Sequence, residues 1–261
     1  MDRPTLIEVR NLTARYGDTT ILEGVGMEVY RGEILVILGG SGCGKSTLLR
    51  HLIGLNVPHA GTIRIDGVDI TTCSDAEYRG TLSKIAVLFQ GGALFGSMTV
   101  AQNVALAIET YTDLDRHAID TLVRMKLHMV GLSGFEAHFP SELSGGMKKR
   151  AGLARALALS PRILFLDEPS AGLDPVTSAE IDQLILHING TTGTTMVIVT
   201  HELASIFAVA QRVIMLDKEA KGIIAEGDPR ELKAASTHPV VQRFFNRQPE
   251  SPSQLQSDDA D

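Results

Sequence analysis

The stretch from Glu33 to Leu52, EILVILGGSGCGKSTLLRHL, restricts the fold more than any other part of the chain. Ile34 to Leu38 is an unbroken apolar run, the signature of a strand buried on both faces, and such a strand needs covering layers on each side of its sheet. Gly39-x4-Gly44-Lys45-Ser46 follows at once, and a helical pattern opens where the loop ends. In this strand, loop and helix context, glycines let backbone N–H groups turn inward around a phosphate. Lys45 supplies positive charge for the β- and γ-phosphates of a nucleotide, and the Ser46 hydroxyl supplies a ligand for Mg2+. Gly39, Gly40, Ser41, Gly42, Cys43, Gly44, Lys45, Ser46 and Thr47 are therefore expected to form the nucleotide-binding loop.

The rest of the chain fits a sheet built around that strand. KIAVLF, RILFLDE, TTMVIVT and RVIML are further apolar runs of strand length, and helical patterns separate them. Alternating strands and helices predict an α/β core with a mainly parallel sheet. TLIEVRNLTARY and TILEGVGMEVY predict an antiparallel β region at the start, and GTIRIDGVDI a hairpin turning at Asp66-Gly67. A helical block from about 91 to 160 looks inserted into the core. Ile119, Leu122, Val123, Leu127 and Val130 mark one helix face in it. Met147, Ala151, Ala154 and Ala158 mark another, with Ser160-Pro161 ending that helix. Asp174-Pro175 is a helix start, Ile181, Leu184, Ile185 and Ile188 its buried face, and Asn189-Gly190 its expected stop. ELASIFAVA reads as a helix and GIIAEG as a strand. Residues 5–245 are assigned to one domain, and the polar, acidic segment 246–261 to a tail expected to be disordered.

Composition excludes some roles. A net charge of −7 gives no reason to expect a nucleic-acid partner. The two cysteines, Cys43 and Cys73, read as reduced thiols, since a disulfide inside the phosphate loop would be awkward. No signal peptide is evident and no apolar run is long enough to span a bilayer, so work at a membrane would go through a partner.

Three further strand ends carry chemistry. ILFLDE places Asp167 and Glu168 at the carboxyl edge of the sheet, where open α/β sheets bind ligands. Asp167 is placed to hold Mg2+ through water, and Glu168 to act as general base toward an attacking water. Gln90 closes KIAVLFQ and is offered two roles, Mg2+ ligand or water-positioning group. His201 follows MVIVT; a lone histidine at a strand end is more often structural than catalytic, but here it could contact the γ-phosphate and hold Glu168 and water in line. Tyr16 is either a stacking platform for an adenine ring or a core or hairpin aromatic. Lys148 to Arg150 reads as a solvated helix face rather than a nucleic-acid patch. In SELSGGMKKRAGLARA, Gly145 and Gly146 open a helix and so offer a second anion seat.

Together these residues resemble the nucleotide-binding subunit of ATP-binding-cassette (ABC) transporters over nearly the whole chain. Tyr16, the phosphate loop, Gln90, LSGG at Leu143 to Gly146, ILFLDE, SAGLD ending at Asp174, and His201 stand in that family's order. The resemblance implies ATP hydrolysis with Mg2+ and a head-to-tail dimer of two copies. Ser144, Gly145 and Gly146 of one copy would complete the ATP site of the other, with Asp174 near the same interface. LFQGGALFGSMTVAQNVAL, PSELSGGMKKRAGLARALAL and GLDPVTSAEIDQLI, with Met147 after the glycines, look more narrowly like the ATPases of the Mla and Mkl transporters. THPVVQRFF and the polar tail after it also look like the C-terminal region of those ATPases, which can reach the neighbouring subunit. That resemblance implies phospholipid or lipid transport between bacterial envelope membranes. It also implies a permease docked near Gly91 to Val100, a lipid-binding subunit of the mammalian-cell-entry type, and a place on the cytoplasmic face of the inner membrane. Ordinary packing of Leu94 and Phe95 under the helical block is the plainer reading of that segment. An importer of amino acids or ions is the alternative cargo. A soluble ABC ATPase of DNA repair is disfavoured because no long coiled-coil insertion precedes LSGG; one acting on ribosomes is disfavoured by the single cassette and acidic balance.

Overall fold

The computed structural model describes residues 4–248. The chain opens with β1 (Thr5–Tyr16), β2 (Thr19–Tyr30), β3 (Ile34–Gly39), α1 (Lys45–Leu52), β4 (Ala60–Ile65), β5 (Val68–Asp69), α2 (Asp75–Leu82) and β6 (Ile85–Leu88). A helical stretch follows, α3 (Val100–Tyr111), α4 (Arg116–Met129) and α5 (Gly145–Ala156). Then come β7 (Ile163–Asp167), α6 (Pro175–Thr192), β8 (Thr195–Val199), α7 (Leu203–Val209), β9 (Arg212–Asp217), β10 (Gly222–Gly227), α8 (Pro229–Ala235) and α9 (Pro239–Asn246).

Two sheets form. A six-stranded sheet runs β10-β9-β3-β8-β7-β6, parallel throughout except for the β10–β9 pair. A four-stranded antiparallel sheet runs β2-β1-β4-β5. The apolar run of β3 is explained by what lies on its two faces. Ile34, Val36 and Leu38 enter a core shared with α3, α4, α5 and α6, whereas Leu35 and Ile37 enter a second core with the antiparallel sheet and α1. β7 divides the same way, Leu164 and Leu166 to the first core and Phe165 to the second. The Asp66-Gly67 hairpin forms as expected, with φ of 51° and 83° at its two turn residues, both in the left-handed region a two-residue turn of this kind requires.

Several boundaries differ from the sequence expectation. β6 is the edge strand, so Ile85, Ala86 and Val87 are only half-buried and just Leu88 is fully covered. α6 passes through Asn189-Gly190 and stops at Gly193, whose φ is 66°. The Asn189 amide is used to anchor the helix, donating to the carbonyls of Gly32 (3.1 Å) and Thr194 (2.8 Å), rather than to end it. α5 ends at Ala156, short of Ser160-Pro161. The helices α2, α8 and α9 were not expected; α2 is set by a capping box between Ser74 and Glu77, and α9 buries Val241 and Phe245 on one face. The tail expected at 246–261 lies, from 249 onward, outside the described residues.

A buried polar cluster ties α6 and α7 to the loop after β7. The Ser170 hydroxyl donates to Glu202 (2.9 Å) and lies 3.4 Å from that of Ser205. Asp182 of α6 sits beside them with one oxygen unpaired, and burial pushes its pKa up to about 6; a hydrogen bond from Ser205 opposes this and the charge of Glu202 adds to it. The folded state thus holds this proton more tightly than the unfolded chain, so stability is lost as pH rises from about 4 through 6. Asp182→Asn is expected to stabilise the protein at pH 8 by up to about 3 kcal/mol and to change little at pH 4. Urea unfolding at the two pH values measures both.

Candidate active site

The parallel strands deliver their loops to one rim of the sheet. The loop after β3 is held by two glycines that no other residue replaces. A Cβ on Gly39 would lie 2.3 Å from the Leu216 carbonyl oxygen and 2.6 Å from Cys43 Sγ, and one on Gly44 would lie 2.7 Å from Leu22 Cδ2. Gly44, at φ 99°, turns the chain into α1, whose first turn carries no acidic residue. Lys45 opens that helix and its Nζ reaches back over the loop, donating to the carbonyls of Gly39 (2.9 Å) and Gly40 (2.7 Å). Gly40, Ser41, Gly42 and Ser46 are exposed along the rim, and Thr47 is half-buried. Cys43 is buried beneath them; burial pushes its thiol pKa up against the pull of Lys45, and both cysteines are free. Tyr16, at the end of β1, is 47% exposed and accepts a hydrogen bond from Asn56 (3.2 Å) beside Thr47 and Arg50. It is therefore no core aromatic; its ring is open next to the phosphate loop.

At the end of β7, Asp167 is half-buried, and burial together with the charge of Glu168 raises its pKa, while Arg50, Lys149 and Lys45 oppose that. Glu168 has φ 47°, a left-handed backbone that is unfavourable for a side chain of this size and persists only where the surroundings impose it. Four groups do so. The Glu168 N–H donates to the Val199 carbonyl (2.8 Å), and its own carbonyl accepts from Lys149 Nζ (3.1 Å). Its carboxylate accepts from Thr200 Oγ1 (3.1 Å) and from His201 Nδ1 (2.7 Å). Because the carboxylate accepts a hydrogen bond from Nδ1, the exposed His201 ring leaves Nε2 facing away from Glu168.

Gln90 lies two residues past β6, exposed, and its carbonyl accepts from Lys149 Nζ. The expectation of a solvated helix face at Lys148 to Arg150 therefore fails for Lys149, which is buried with its ammonium donating to two backbone carbonyls, those of Gln90 and Glu168. Arg150 is engaged too, with the Val130 carbonyl (3.2 Å) and Glu180 (2.9 Å). Lys149 and Thr200 are the residues sequence reasoning missed. The available signal was spacing: Lys149 stands four residues after Gly145 and three before Gly152, on the glycine side of α5 that turns toward the sheet.

Ser144 caps α5, accepting from the Met147 N–H (3.3 Å); Ser144 and Gly145 are exposed at the helix start, whereas Gly146 is buried. Gly145 and Gly146 pack closely against Leu173 and Thr177, so a Cβ on Gly146 would meet Thr177 Cγ2 at 2.5 Å. Asp174 caps α6 beside them, accepting from the N–H groups of Val176 (3.0 Å) and Thr177 (3.1 Å) and from the Thr177 hydroxyl (2.6 Å). Those bonds hold its pKa below the usual carboxylate range. The structure thus gathers Tyr16, the phosphate loop, Asp167, Glu168, Gln90 and His201 on one rim. It gathers Ser144, Gly145, Gly146 and Asp174 into a second group at the starts of α5 and α6. Among the described residues no hydrogen bond joins this second group to residues 39–47.

These residues fit a nucleotide triphosphate with Mg2+. Gly39 and Gly44 keep the loop backbone free of side chains, and Lys45 supplies the cation. Among the described residues no group of three or more His, Cys, Asp or Glu forms a metal cage. The candidate metal donors at the rim are the Ser46 hydroxyl, Asp167 and Gln90, the sparse oxygen set that suits Mg2+ when substrate phosphates complete its shell.

A family model described as ABC transporter matches residues 22–171, more than half of the chain. The chain belongs to the ABC transporter family. It carries that family's ATP-binding, ATP-hydrolysing cassette. It is 46% identical over 240 residues to a protein of Mycobacterium leprae named as a probable ribonucleotide transport ATP-binding protein, Mkl, spanning 92% of this chain and 68% of that one. It is 40% identical over 237 residues to MlaF of Haemophilus influenzae, an intermembrane phospholipid transport ATP-binding protein, spanning 91% and 89%. It is also 40% identical over 224 residues to the methionine import protein MetN of Brucella abortus, of which it spans 60%. Among solved ABC structures, the dimeric post-hydrolysis cassette MJ0796 bound to ADP and Pi aligns with a TM-score of 0.76 at 30% identity, covering 85% of this chain and 98% of that one.

Proposed function

We propose that the chain is the ATPase of a bacterial lipid transporter of the Mla type, working as a head-to-tail dimer beneath a membrane permease. The observation that carries the cargo is the 40% identity to MlaF across 89% of that protein's length. A ribonucleotide or methionine cargo is the second reading, favoured by the names of the Mkl and MetN relatives.

In this reading the loop N–H groups and Lys45 grip the β- and γ-phosphates, and Tyr16 stacks on the adenine. Ser46, Gln90 and Asp167 would hold Mg2+, which would neutralise charge on the phosphates when bound. Glu168 takes a proton from the attacking water as the bond from water oxygen to γ-phosphorus forms and the bond to ADP breaks. His201 and Thr200 keep the base aimed. The second copy supplies its Ser144, Gly145 and Gly146, where unpaired N–H groups and the partial positive charge of α5 face the γ-phosphate. The exposure of Ser144 and Gly145, away from the phosphate loop, supports this division of the site between two chains.

The permease is placed at a groove of about 470 Å³ lined by Ile85, Ala86, Phe95, Leu106, Tyr111 and Leu159. Phe95 and Tyr111 are 50% and 74% exposed there, and the buried Asn103 pins the Phe95 turn through the Phe95 N–H and the carbonyls of Phe95, Met98 and Thr99. Among the described residues no helix is long and apolar enough to cross a membrane, so attachment to the inner membrane's cytoplasmic face falls to that permease. A mammalian-cell-entry-type subunit would join through it.

The test is purification of the chain from native membranes in mild detergent, with mass spectrometry of both proteins and lipids. A multi-helix permease carrying bound phospholipid is expected. A permease with a periplasmic binding protein and methionine or nucleotide, without lipid, removes the lipid cargo.

A further inference from the structure

β6 and β7 pair in parallel up to Leu88 and Leu166, and Gln90 and Glu168 each lie two residues past that last rung. Their carbonyls therefore emerge from the sheet at the same level, and both accept from the buried Lys149 ammonium. The same face of α5 is fastened to the segment after Gln90 at two further levels. Gly152 lies so close that a Cβ would stand 3.1 Å from the Gly92 oxygen, and Arg155 donates to the carbonyls of Gly92 (3.2 Å) and Ala93. Residues 90–93 thus ride on α5, and of these three attachments only Lys149 also reaches Glu168.

We propose that Lys149 is a positioning residue for hydrolysis, whose ammonium links the Gln90 segment to the Glu168 carbonyl so that a shift of residues 90–95 moves the base. The inference rests on the reading of Glu168 as general base. A linear cation suits such a link because it buries a long stem and points several donors at two carbonyls from different loops. The left-handed backbone of Glu168 makes its carbonyl the natural handle, because displacing that peptide swings the carboxylate away from Thr200 and His201.

The test uses Lys149→Met, which keeps stem length and removes every donor, in the whole 261-residue chain, alone or with its permease, whichever form of the wild type hydrolyses ATP. ATP affinity is expected to stay within about threefold while kcat falls about tenfold or more, as happens when a reacting group is slightly misplaced. In combination with Glu168→Gln the second loss is expected to vanish, since both changes act on one group. Lys149→Gln, which keeps an amide donor, is expected to recover part of kcat. If Lys149→Met is too unstable to assay, the Gln variant carries the test, with a fall in kcat at held affinity as the expected result. Unchanged kcat in the assayed variants, or losses that multiply in the double variant, overturns the proposal. Wild-type turnover in Glu168→Gln alone would instead remove the base, a different failure read from a different variant.

Discussion

Glu168→Gln is expected to bind ATP with near-native affinity and to hydrolyse it about 10²–10⁴ times more slowly, the usual loss when a positioned general base is removed. The substitution keeps the size of the side chain. The left-handed backbone at Glu168, the Val199 and Lys149 bonds to its peptide and the donation from Thr200 do not depend on the carboxylate's charge. What changes is the proton acceptor, so the defect should sit in kcat and leave binding alone. A cassette that binds ATP but cannot cleave it should also remain in its ATP-bound assembly. Size-exclusion chromatography is expected to show a dimer with ATP and a monomer with ADP. Wild-type turnover removes Glu168 as base, and a monomer under saturating ATP removes the shared-site dimer.

Lys45→Ala is expected to weaken ATP binding by about 100-fold or more, since hydrogen bonds to charged groups contribute about 1.5–3 kcal/mol each and, in the proposed reading, the ammonium would face more than one phosphate oxygen. The loss is local. Lys45→Ala removes its bonds to the Gly39 and Gly40 carbonyls, but Gly39 and Gly44 stay packed too close to Leu216, Cys43 and Leu22 for any side chain, so the loop is expected to keep its course. Titration with a fluorescent ATP analogue measures the loss, and normal affinity would remove the loop's assigned role. The two variants separate binding from chemistry: one should fail before the phosphates are gripped, the other only after.

The α/β class was legible because buried strands on a mainly parallel sheet leave unbroken apolar runs, and Ile34–Leu38, Ile163–Leu166 and Met196–Val199 all do. Asp167, Glu168 and His201 were legible as polar residues at the ends of such runs. Three things were not. Edge status is invisible in composition, so KIAVLF looked as buried as its neighbours although β6 closes the sheet. Helix ends set by tertiary bonds mislead: Asn189-Gly190 has the residues of a stop, but Asn189 commits its amide to Gly32 and Thr194. Lys149 looked solvated because a lysine in a run of three cations usually is, and only the coincidence of two carbonyls two residues past paired leucines shows why it is buried.

The division of β3 between two cores gives the phosphate loop redundant footing. Val36 is set among the helices and Ile37 among the antiparallel strands, one residue apart on the same strand. Loosening the helical side, as a moving partner would, leaves Leu35 and Ile37 gripped from the other face. A displacement of the helices would therefore still leave one face of the strand beneath the nucleotide loop fully packed. Alternate side chains of a single strand tie that loop to two separate cores.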